Sequence, residues 1–320
     1  MYILGFNWNP DDTLFTLGFI QIKYYNLLWI MAFVVGWFIM KKIFTKEQKS
    51  IEKLDSLFVY CVVSIMLGAR LGHVFFYDWD YYKNNLIEIL LPIRKSANSS
   101  IFGLINGYEF TGFTGLASHG AAIAAIIGLY LFSRKFKDMK FMWLLDRVTI
   151  TCAIGAAFVR IGNFFNSEIN GKIVDKSYAL AVRFIRDSDD MPAYKAMQLT
   201  KAETPSSAYK AIENNSQFSE LLASIPYRHP AQLYEAFFYL ILFGLMWYFF
   251  WKTNKADKPG FLFGLFMLGL WATRFGVEYF KKSQGGFEDA LGTFSTGQWL
   301  SIPFIFIGLY FMFRPTKSQG

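Results

Sequence analysis

The stretch FIQIKYYNLLWIMAFVVGWFIMKK, residues 19–42, determines the architecture of the chain. Up to Met40 it carries one charge, Lys23, and a helix of about 20 residues is long enough to cross a hydrocarbon core of about 30 Å. The stretch therefore predicts a transmembrane helix that ends at a pair of lysines. Because no Lys or Arg precedes Lys23, the segment lacks the basic region of a secretory signal, and we expect this span to be retained.

Six further apolar blocks of similar length follow the first. Of the 320 residues, 54% are hydrophobic and only 18% are charged, and the apolar residues come in long runs rather than in alternation. The seven blocks are 19–40, 56–77, 114–133, 141–163, 231–251, 260–280 and 296–313. They predict an all-α polytopic membrane protein with about seven transmembrane helices, folded as a single integral-membrane domain over residues 1–320.

The basic residues cluster after alternate spans, which predicts the orientation of the chain. They are Lys41, Lys42, Lys46, Lys49 and Lys53, then Arg134, Lys135, Lys137 and Lys140, then Lys252, Lys255 and Lys258, and finally Arg314 and Lys317. Since cytoplasmic loops are enriched in Lys and Arg, the N-terminus is predicted outside and the C-terminus inside. This pattern accounts for most of the net charge of +8, so no nucleic-acid partner is expected.

Two loops on the predicted outer side differ in composition from the spans. Residues 173–228, between the fourth and fifth spans, are polar and mixed in charge, which predicts a periplasmic insertion with a helix or two. Residues 78–113 contain several Asn and Gly residues and predict turns or a short hairpin at the membrane interface. Both loops connect spans and do not form a separate domain.

No motif for a metal, a cofactor or a serine nucleophile is found in the sequence. Cys61 and Cys152 fall inside predicted spans, where they are interpreted as small apolar residues and a disulfide is not expected. There are only three histidines and no phosphate-cradling glycine loop. The sequence thus predicts no metal and no cofactor.

Polar side chains collect near the outer ends of the spans. They include Tyr24, Tyr25, Arg70, His73, His119, Arg160, Asn163, Asn166, His229, Gln232, Glu235, Arg274, Glu278 and Gln298. Because alternate spans run in opposite directions, all seven helices deliver these groups to one leaflet. Ionisable groups in hydrocarbon are costly, at about 2.5–3.5 kcal/mol on insertion scales, so their convergence favours a cavity that opens to the outer leaflet.

A structural explanation is available for each group taken alone. A single arginine near a helix end can extend its charge to the interface, and Asn163, Asn166 and Glu168 can cap a helix end. Glu235 and Glu278 can neutralise nearby arginines. These explanations leave the common depth of the groups unexplained. Two arginines in a partly dry cavity favour an anion, and the anions at that depth are lipid phosphates.

Several motifs resemble those of one known family, the phosphatidylglycerol–prolipoprotein diacylglyceryl transferases. They are ARLGHVFFYDWDYY (69–82), GLASHGA (115–121), VRIGNFFNSEINGK (159–172), RHPAQLYE (228–235), TRFGVEYFKK (273–282) and STGQWLSIP (295–303). The resemblance covers roughly residues 20 to 315 and keeps the order of the motifs. The chain departs from the family at Val159, where glycine is usual, at His73, where an aromatic is common, and in the length of 173–228.

The resemblance implies an activity, two substrates and a location. Members of the family transfer the diacylglyceryl group of phosphatidylglycerol to the lipobox cysteine in the signal peptide of a prolipoprotein, which forms a thioether and releases glycerol phosphate. The nucleophile belongs to the substrate, in agreement with the lack of a catalytic triad here. The enzyme is expected in the bacterial inner membrane with its active site toward the outer leaflet.

The residues that match the family's motifs receive predicted roles. Arg160 and Arg274 match arginines regarded as essential in the family, and they are expected to stabilise the departing phosphate. His119 is the candidate base for the substrate thiol. The substrate-binding residues are predicted to be Arg160, Asn163, Asn166, Tyr25, Glu168, Gly171, His229 and Glu278.

Three alternative functions are considered. A transporter or lipid scramblase would need polar groups through the inner half of the membrane, where VVGWFIM, LILFGLMWYFF and FLFGLFMLGL are nearly all apolar. A binding or assembly factor would hold lipid and peptide without releasing glycerol phosphate. An enzyme with another acceptor is the nearest chemical alternative.

Overall fold

A computed structural model describes residues 5–11, 13–17, 20–101, 103, 105–110, 115–282 and 294–315. Six of its helices are long and apolar enough to cross a membrane. They are α1 (Tyr24–Lys46), α2 (Ile51–Tyr77), α6 (Phe141–Phe165), α10 (Ala231–Lys252), α11 (Phe261–Val277, continued by a 3-10 turn to Phe280) and α12 (Thr296–Phe313). These helices confirm a mostly helical, polytopic membrane protein.

The outward faces of these helices are apolar. Large side chains such as Ile30, Phe38, Val59, Phe237 and Phe306 are between 56% and 66% exposed. A soluble protein rarely exposes so many large apolar side chains, whereas lipid tails accept them without cost. The exposed apolar side chains and the hydropathy of the helices therefore both indicate a membrane protein.

The predicted third span, 114–133, corresponds to a shorter helix, α5 (Ser118–Lys135). It begins at Ser118 and His119 and ends at Arg134 and Lys135, so its 18 residues are less apolar than those of the other six helices. Residue 114 lies outside the described part of the chain. The count of seven spans and the orientation stay predictions.

The chain divides into two compact units, 41–145 and 1–40 with 146–320, and each is described by itself. In the first unit, α2 packs closely on α5. A Cβ atom at Gly72 would lie 2.8 Å from Gly120 Cα, and Ala117 donates its backbone N–H to the Ala69 carbonyl at 2.9 Å. Small residues let the two backbones approach, as is common between membrane helices.

The connection between α2 and α5 contains two short helices, α3 (Trp79–Tyr82) and α4 (Ile87–Leu90), and a hairpin. The hairpin consists of β4 (Ile93–Ile101) paired antiparallel with β5 (Ile105–Phe110), which confirms the hairpin predicted for this loop. Arg70 holds the connection to α2 by donating to the carbonyl oxygens of Ile89 at 2.8 Å and Glu88 at 2.5 Å.

In the second unit, the N-terminal residues pair with the insertion between α6 and α10. Strand β1 (Phe6–Trp8) runs parallel to β6 (Val182–Phe184), while β2 (Thr13–Leu17) and β3 (Ile20–Lys23) form a separate antiparallel pair. After β6 come α7 (Ala193–Thr200), α8 (Pro205–Asn214) and α9 (Ser219–Ser224). The insertion thus contains three short helices rather than one or two, packed around the cluster Ile185, Met191, Ala196, Ala208, Tyr209, Ile212 and Ile225.

A buried carboxylate fixes the start of α11. Asp146, fully buried near the beginning of α6, accepts the backbone N–H groups of Gly260 at 2.7 Å and Phe263 at 2.8 Å. Helix N-termini leave their first N–H groups unpaired and favour a negative charge. Asp146 therefore joins α6 to α11.

The change Asp146→Asn is expected to destabilise the fold by about 1–3 kcal/mol, because an amide offers one acceptor oxygen to two buried N–H groups. Thermal unfolding in detergent should then show a lower midpoint. Asp138→Asn is the control, since Asp138 is 48% exposed and pairs with Lys53 on the surface. Equal midpoints for the two variants would contradict the capping role.

Candidate active site

Arg160, in the last turns of α6, forms an ion pair with a fully buried carboxylate of α10. Its Nε lies 2.9 Å from Glu235 Oε2, and Lys281 Nζ lies 2.9 Å from the other oxygen, Oε1. Lys281 also lies 3.6 Å from Glu278 Oε2. A carboxylate in a dry environment needs such partners, and here two cations from distant parts of the chain share it.

Arg274, on α11, and Arg160 both lie near the buried phenol of Tyr239. Tyr239, one turn after Glu235, is 3% exposed and interacts electrostatically with both arginines. Arg274 lies 5.6 Å from the ring centroid of Trp271, and among the described residues none accepts a hydrogen bond from its Nε. The two arginines predicted to bind phosphate thus lie near the same side chain. Arg274 forms no ion pair with a carboxylate among the described residues.

The side chains of Asn163 and Asn166 bind the carboxylate of Glu168 just after α6 ends. Asn163 Nδ2 donates to Glu168 Oε1 at 2.7 Å, and Asn166 Nδ2 lies 3.3 Å from the same oxygen. Asn163 Oδ1 lies 3.5 Å from Arg160 Nη1. The described contacts of these side chains are therefore with one another and with Arg160, and do not cap the backbone.

Tyr25 and Glu278 also lie in this unit. A Cβ atom at Gly162 would be 2.7 Å from Tyr25 Cδ2, so the ring packs on the face of α6, and its phenol interacts electrostatically with Glu168 and Arg160. A Cβ at Gly297 would be 2.5 Å from the Glu278 carboxyl carbon, which places that acid against the start of α12. Both residues therefore belong to the polar cluster around Arg160.

Gly171 is the point where three chain segments cross. Its N–H donates to the His229 carbonyl at 2.9 Å, and the next residue, Lys172, donates to the Phe280 carbonyl at 2.7 Å. A Cβ here would lie 2.5 Å from His229 Cβ and 2.6 Å from the Phe280 carbonyl oxygen. Only glycine fits, so the structure gives Gly171 a backbone role, and its contact with substrate stays a prediction.

His229 precedes α10 and lies among aromatic rings. Its Nδ1 is 3.0 Å from the Tyr234 hydroxyl, and its ring centroid is 4.8 Å from Tyr178 and 5.1 Å from Phe280. Burial, with a smaller contribution from the charge of Lys172, lowers the pKa of His229. The lowered pKa favours the neutral imidazole, which is suited to hydrogen bonding rather than to pairing with an anion.

The predicted base, His119, lies in the other compact unit, in the first turn of α5, where it is exposed. Its catalytic role stays a prediction. In the same unit Arg70 is buried, binds backbone carbonyls and lies 4.8 Å from the ring of Tyr82, which gives it a structural role. His73 packs against Gly115, and its ring stacks on that of Tyr77 with 5.9 Å between the ring centroids.

Several residues around Arg160 had no predicted site role. Glu235 and Gln232 were noted only as polar groups near the outer ends of the spans, and Lys281, Tyr239 and Asn170 were not singled out. Lys281 follows Glu278 by three positions, a spacing that pairs opposite charges on a helical turn. For Tyr239, its position one turn after Glu235 could have placed it on the same face of α10. Asn170 gives no signal in the sequence, because its side-chain partners Asp187 and Gln232 are distant along the chain.

Comparison with known proteins identifies the family. The family described as prolipoprotein diacylglyceryl transferase matches residues 12–314. The phosphatidylglycerol–prolipoprotein diacylglyceryl transferase of Bacteroides fragilis is 37% identical over 318 residues, covering 99% of this chain and 98% of that protein. The enzymes of that name from Tolumonas auensis and Chloroherpeton thalassium are 34% and 31% identical, over 98% and 97% of this chain and 98% and 94% of their own lengths. The chain, a multi-pass membrane protein, therefore belongs to the prolipoprotein diacylglyceryl transferase family.

Proposed function

We propose that this protein transfers the diacylglyceryl group of phosphatidylglycerol to the thiol of the lipobox cysteine in the signal peptide of a prolipoprotein. The products are a thioether-linked lipopeptide and glycerol phosphate. The observation that carries the proposal is that Arg160 and Arg274, both in motifs that resemble those of the family, lie within electrostatic range of one buried phenol, Tyr239.

The reaction forms one bond and breaks one bond. The substrate sulfur bonds to C3 of the diacylglyceryl unit, and the C3–O bond to the phosphate breaks with its electron pair leaving on oxygen. Negative charge therefore grows on the departing glycerol phosphate. Cations fixed in advance at that position stabilise the transition state more than the ground state. Arg160 and Arg274 are assigned this role, and paired N–H groups suit phosphate oxygens.

The substrate thiol must lose a proton before or during attack. A free cysteine thiol has a pKa of about 8.5, so only a few per cent is thiolate at neutral pH. His119 is assigned as the base that accepts this proton. A positive field from the arginines would also favour the thiolate form.

The polar residues around the two arginines are assigned to the lipid headgroup. Asn163, Asn166, Glu168, Tyr25 and Glu278 contact or neighbour Arg160 or its partners, and they can offer hydrogen bonds to glycerol hydroxyls. Gly171 and His229 would complete the binding site. We place the site toward the outer leaflet of the inner membrane of a bacterium, with seven spans, the N-terminus outside, the C-terminus inside and the 173–228 insertion in the periplasm.

The deciding experiment uses purified protein in detergent with head-labelled phosphatidylglycerol and a lipobox peptide. Release of labelled glycerol phosphate is expected only when the peptide contains its cysteine. A peptide with serine in that position is the matched control. Binding of both substrates without release would indicate an assembly factor, and release with the serine peptide would indicate hydrolysis or another acceptor.

Replacing either arginine is expected to abolish most of the activity. Arg160→Ala or Arg274→Ala should lower kcat by about 10²–10³-fold, the usual cost of removing a group that stabilises developing charge. Arg160→Lys should restore little, because an ammonium lacks the planar fork of a guanidinium. Arg134→Ala, at an exposed position, is the control. Near-normal turnover in a folded Arg160 or Arg274 variant would remove that residue from the mechanism.

His119→Gln should lower the rate and change its pH dependence. Without the histidine as base, the rate is expected to follow ionisation of the peptide thiol alone and so to rise toward alkaline pH. The pH profile of kcat/KM measures this. An unchanged profile would assign thiol activation to the arginines instead.

A further inference from the structure

A series of hydrogen bonds connects the 173–228 insertion to the loop that follows α6. Asp187, just after β6, accepts a hydrogen bond from Asn170 Nδ2 at 2.8 Å. Asn170 Oδ1 accepts one from Gln232 Nε2 at 2.6 Å. The same nitrogen of Gln232 donates to the backbone carbonyl of Glu168 at 2.6 Å. Three hydrogen bonds therefore link Asp187 to the backbone of Glu168, through Asn170 and Gln232.

Two of the linked side chains, those of Gln232 and Asp187, are shielded from water, and Asn170 is half-buried. Gln232 is fully buried and Asp187 is 6% exposed. A hydrogen bond lost inside such an environment is not replaced readily by solvent, so the geometry of the linked groups is strongly specified.

The loop held by these contacts has a strained backbone. Ser167 and Ile169 have φ angles of 55° and 61°, in the left-handed region that residues other than glycine rarely adopt. Ile169 is β-branched, which makes this conformation less favourable still. Such conformations persist where the surroundings hold them, and Asn170 also donates to the Ser167 carbonyl at 2.8 Å.

Arg228 provides a second connection between the insertion and the loop. It forms two hydrogen bonds with Asp190, at 2.7 and 2.6 Å, and lies 3.5 Å from Asp187. Its Nη1 donates to the Gly171 carbonyl at 3.2 Å. The acids, Asp190 most of all, raise the pKa of Arg228, so its charge is constant over the pH range of an assay.

The other end of the loop reaches the predicted phosphate site. Glu168 accepts from Asn163 at 2.7 Å, and Asn163 lies 3.5 Å from Arg160. A shift of the loop would therefore displace Glu168 and Asn163, and shifts of about 1 Å can cost about 10²-fold in rate.

We propose that Asp187 and Asn170 are positioning residues, through which the insertion fixes the loop 166–171 and so orients Glu168 and Asn163 beside Arg160. The inference rests on the proposed transferase function for its effect on rate. Its effect on the loop is independent of that function.

The test is a reciprocal exchange of the two side chains. Asn170→Asp places a carboxylate against Asp187 and removes the donor to both Asp187 and the Ser167 carbonyl, while Gln232 can still donate to it. In the double variant, which also carries Asp187→Asn, the new amide at position 187 can donate to the new carboxylate at position 170. The direction of the native hydrogen bond is then reversed. Asp189→Asn is the matched control, because Asp189 lies two residues away, is 61% exposed and pairs with Lys282 on the surface.

Two quantities are measured on full-length protein in detergent. The first is hydrogen–deuterium exchange of the amides at 168–172, and the second is kcat and KM for labelled phosphatidylglycerol with the lipobox peptide. Asn170→Asp is expected to speed the exchange and to lower kcat by about 10–100-fold with a smaller change in KM. The double variant should slow the exchange again and recover about tenfold in kcat, and Asp189→Asn should resemble the wild type.

Several outcomes would overturn the inference. They are an unchanged exchange rate in Asn170→Asp, a faster exchange with kcat within about twofold of the wild type, a double variant no better than Asn170→Asp, and an equal loss in Asp189→Asn. A wild-type protein without transferase activity would overturn the proposed function, while the exchange data would still decide whether Asp187 and Asn170 hold the loop.

Discussion

The polar centre of this protein depends on one buried carboxylate, that of Glu235. It has no solvent exposure, and its two oxygens each contact a different cation, Arg160 and Lys281. The three side chains come from α6, from α10 and from the segment after α11. Removing one charge from such a group leaves another charge buried without its partner, which is strongly destabilising. The ion triad therefore holds three segments of the site in a fixed relation.

The charges of this centre bear on the anion site proposed for it. Glu235 has two cations against it, and Glu278 is the second acid near Lys281. Arg274 forms no ion pair with a carboxylate among the described residues, although it lies within electrostatic range of the same phenol as Arg160. With Glu168 included, three acids balance the three cations in formal charge, so in the proposed function the attraction for a phosphate depends on the Arg274 guanidinium.

The spans could be predicted from the sequence because hydropathy is a local property. A run such as YYNLLWIMAFVVGWFIM is apolar whatever surrounds it, and six of the blocks are helices of the expected length. The block beginning near residue 114 gives a weaker signal for a transmembrane helix, because α5 has polar residues at both ends. The clustering of Arg160, Asn163 and Glu168 could also be predicted, because these residues are close along the chain.

Contacts between distant residues could not be predicted in the same way. Asp187 and Asn170 are 17 positions apart, Asn170 and Gln232 are 62 apart, and nothing in their local sequences distinguishes them from solvated polar residues. Gly171 has a backbone role that the sequence does not show, because His229 and Phe280 cross over its backbone; its predicted contact with substrate stays a prediction. The roles of such residues depend on the tertiary fold, which only coordinates provide.

Tyr239, which interacts electrostatically with both arginines, is not an acid, and this matters for the proposed binding of a phosphate. A carboxylate in the place of Tyr239 would neutralise Arg160 or Arg274 and weaken the attraction for a phosphate. The phenol of Tyr239 adds no carboxylate beside the arginines, and Arg274 forms no ion pair with a carboxylate among the described residues. Because the cations are anchored by Glu235, by ring contacts and by packing, they need little reorganisation when charge develops on a leaving group. In the proposed mechanism, the residues that hold the arginines in place therefore contribute to catalysis together with the arginines themselves.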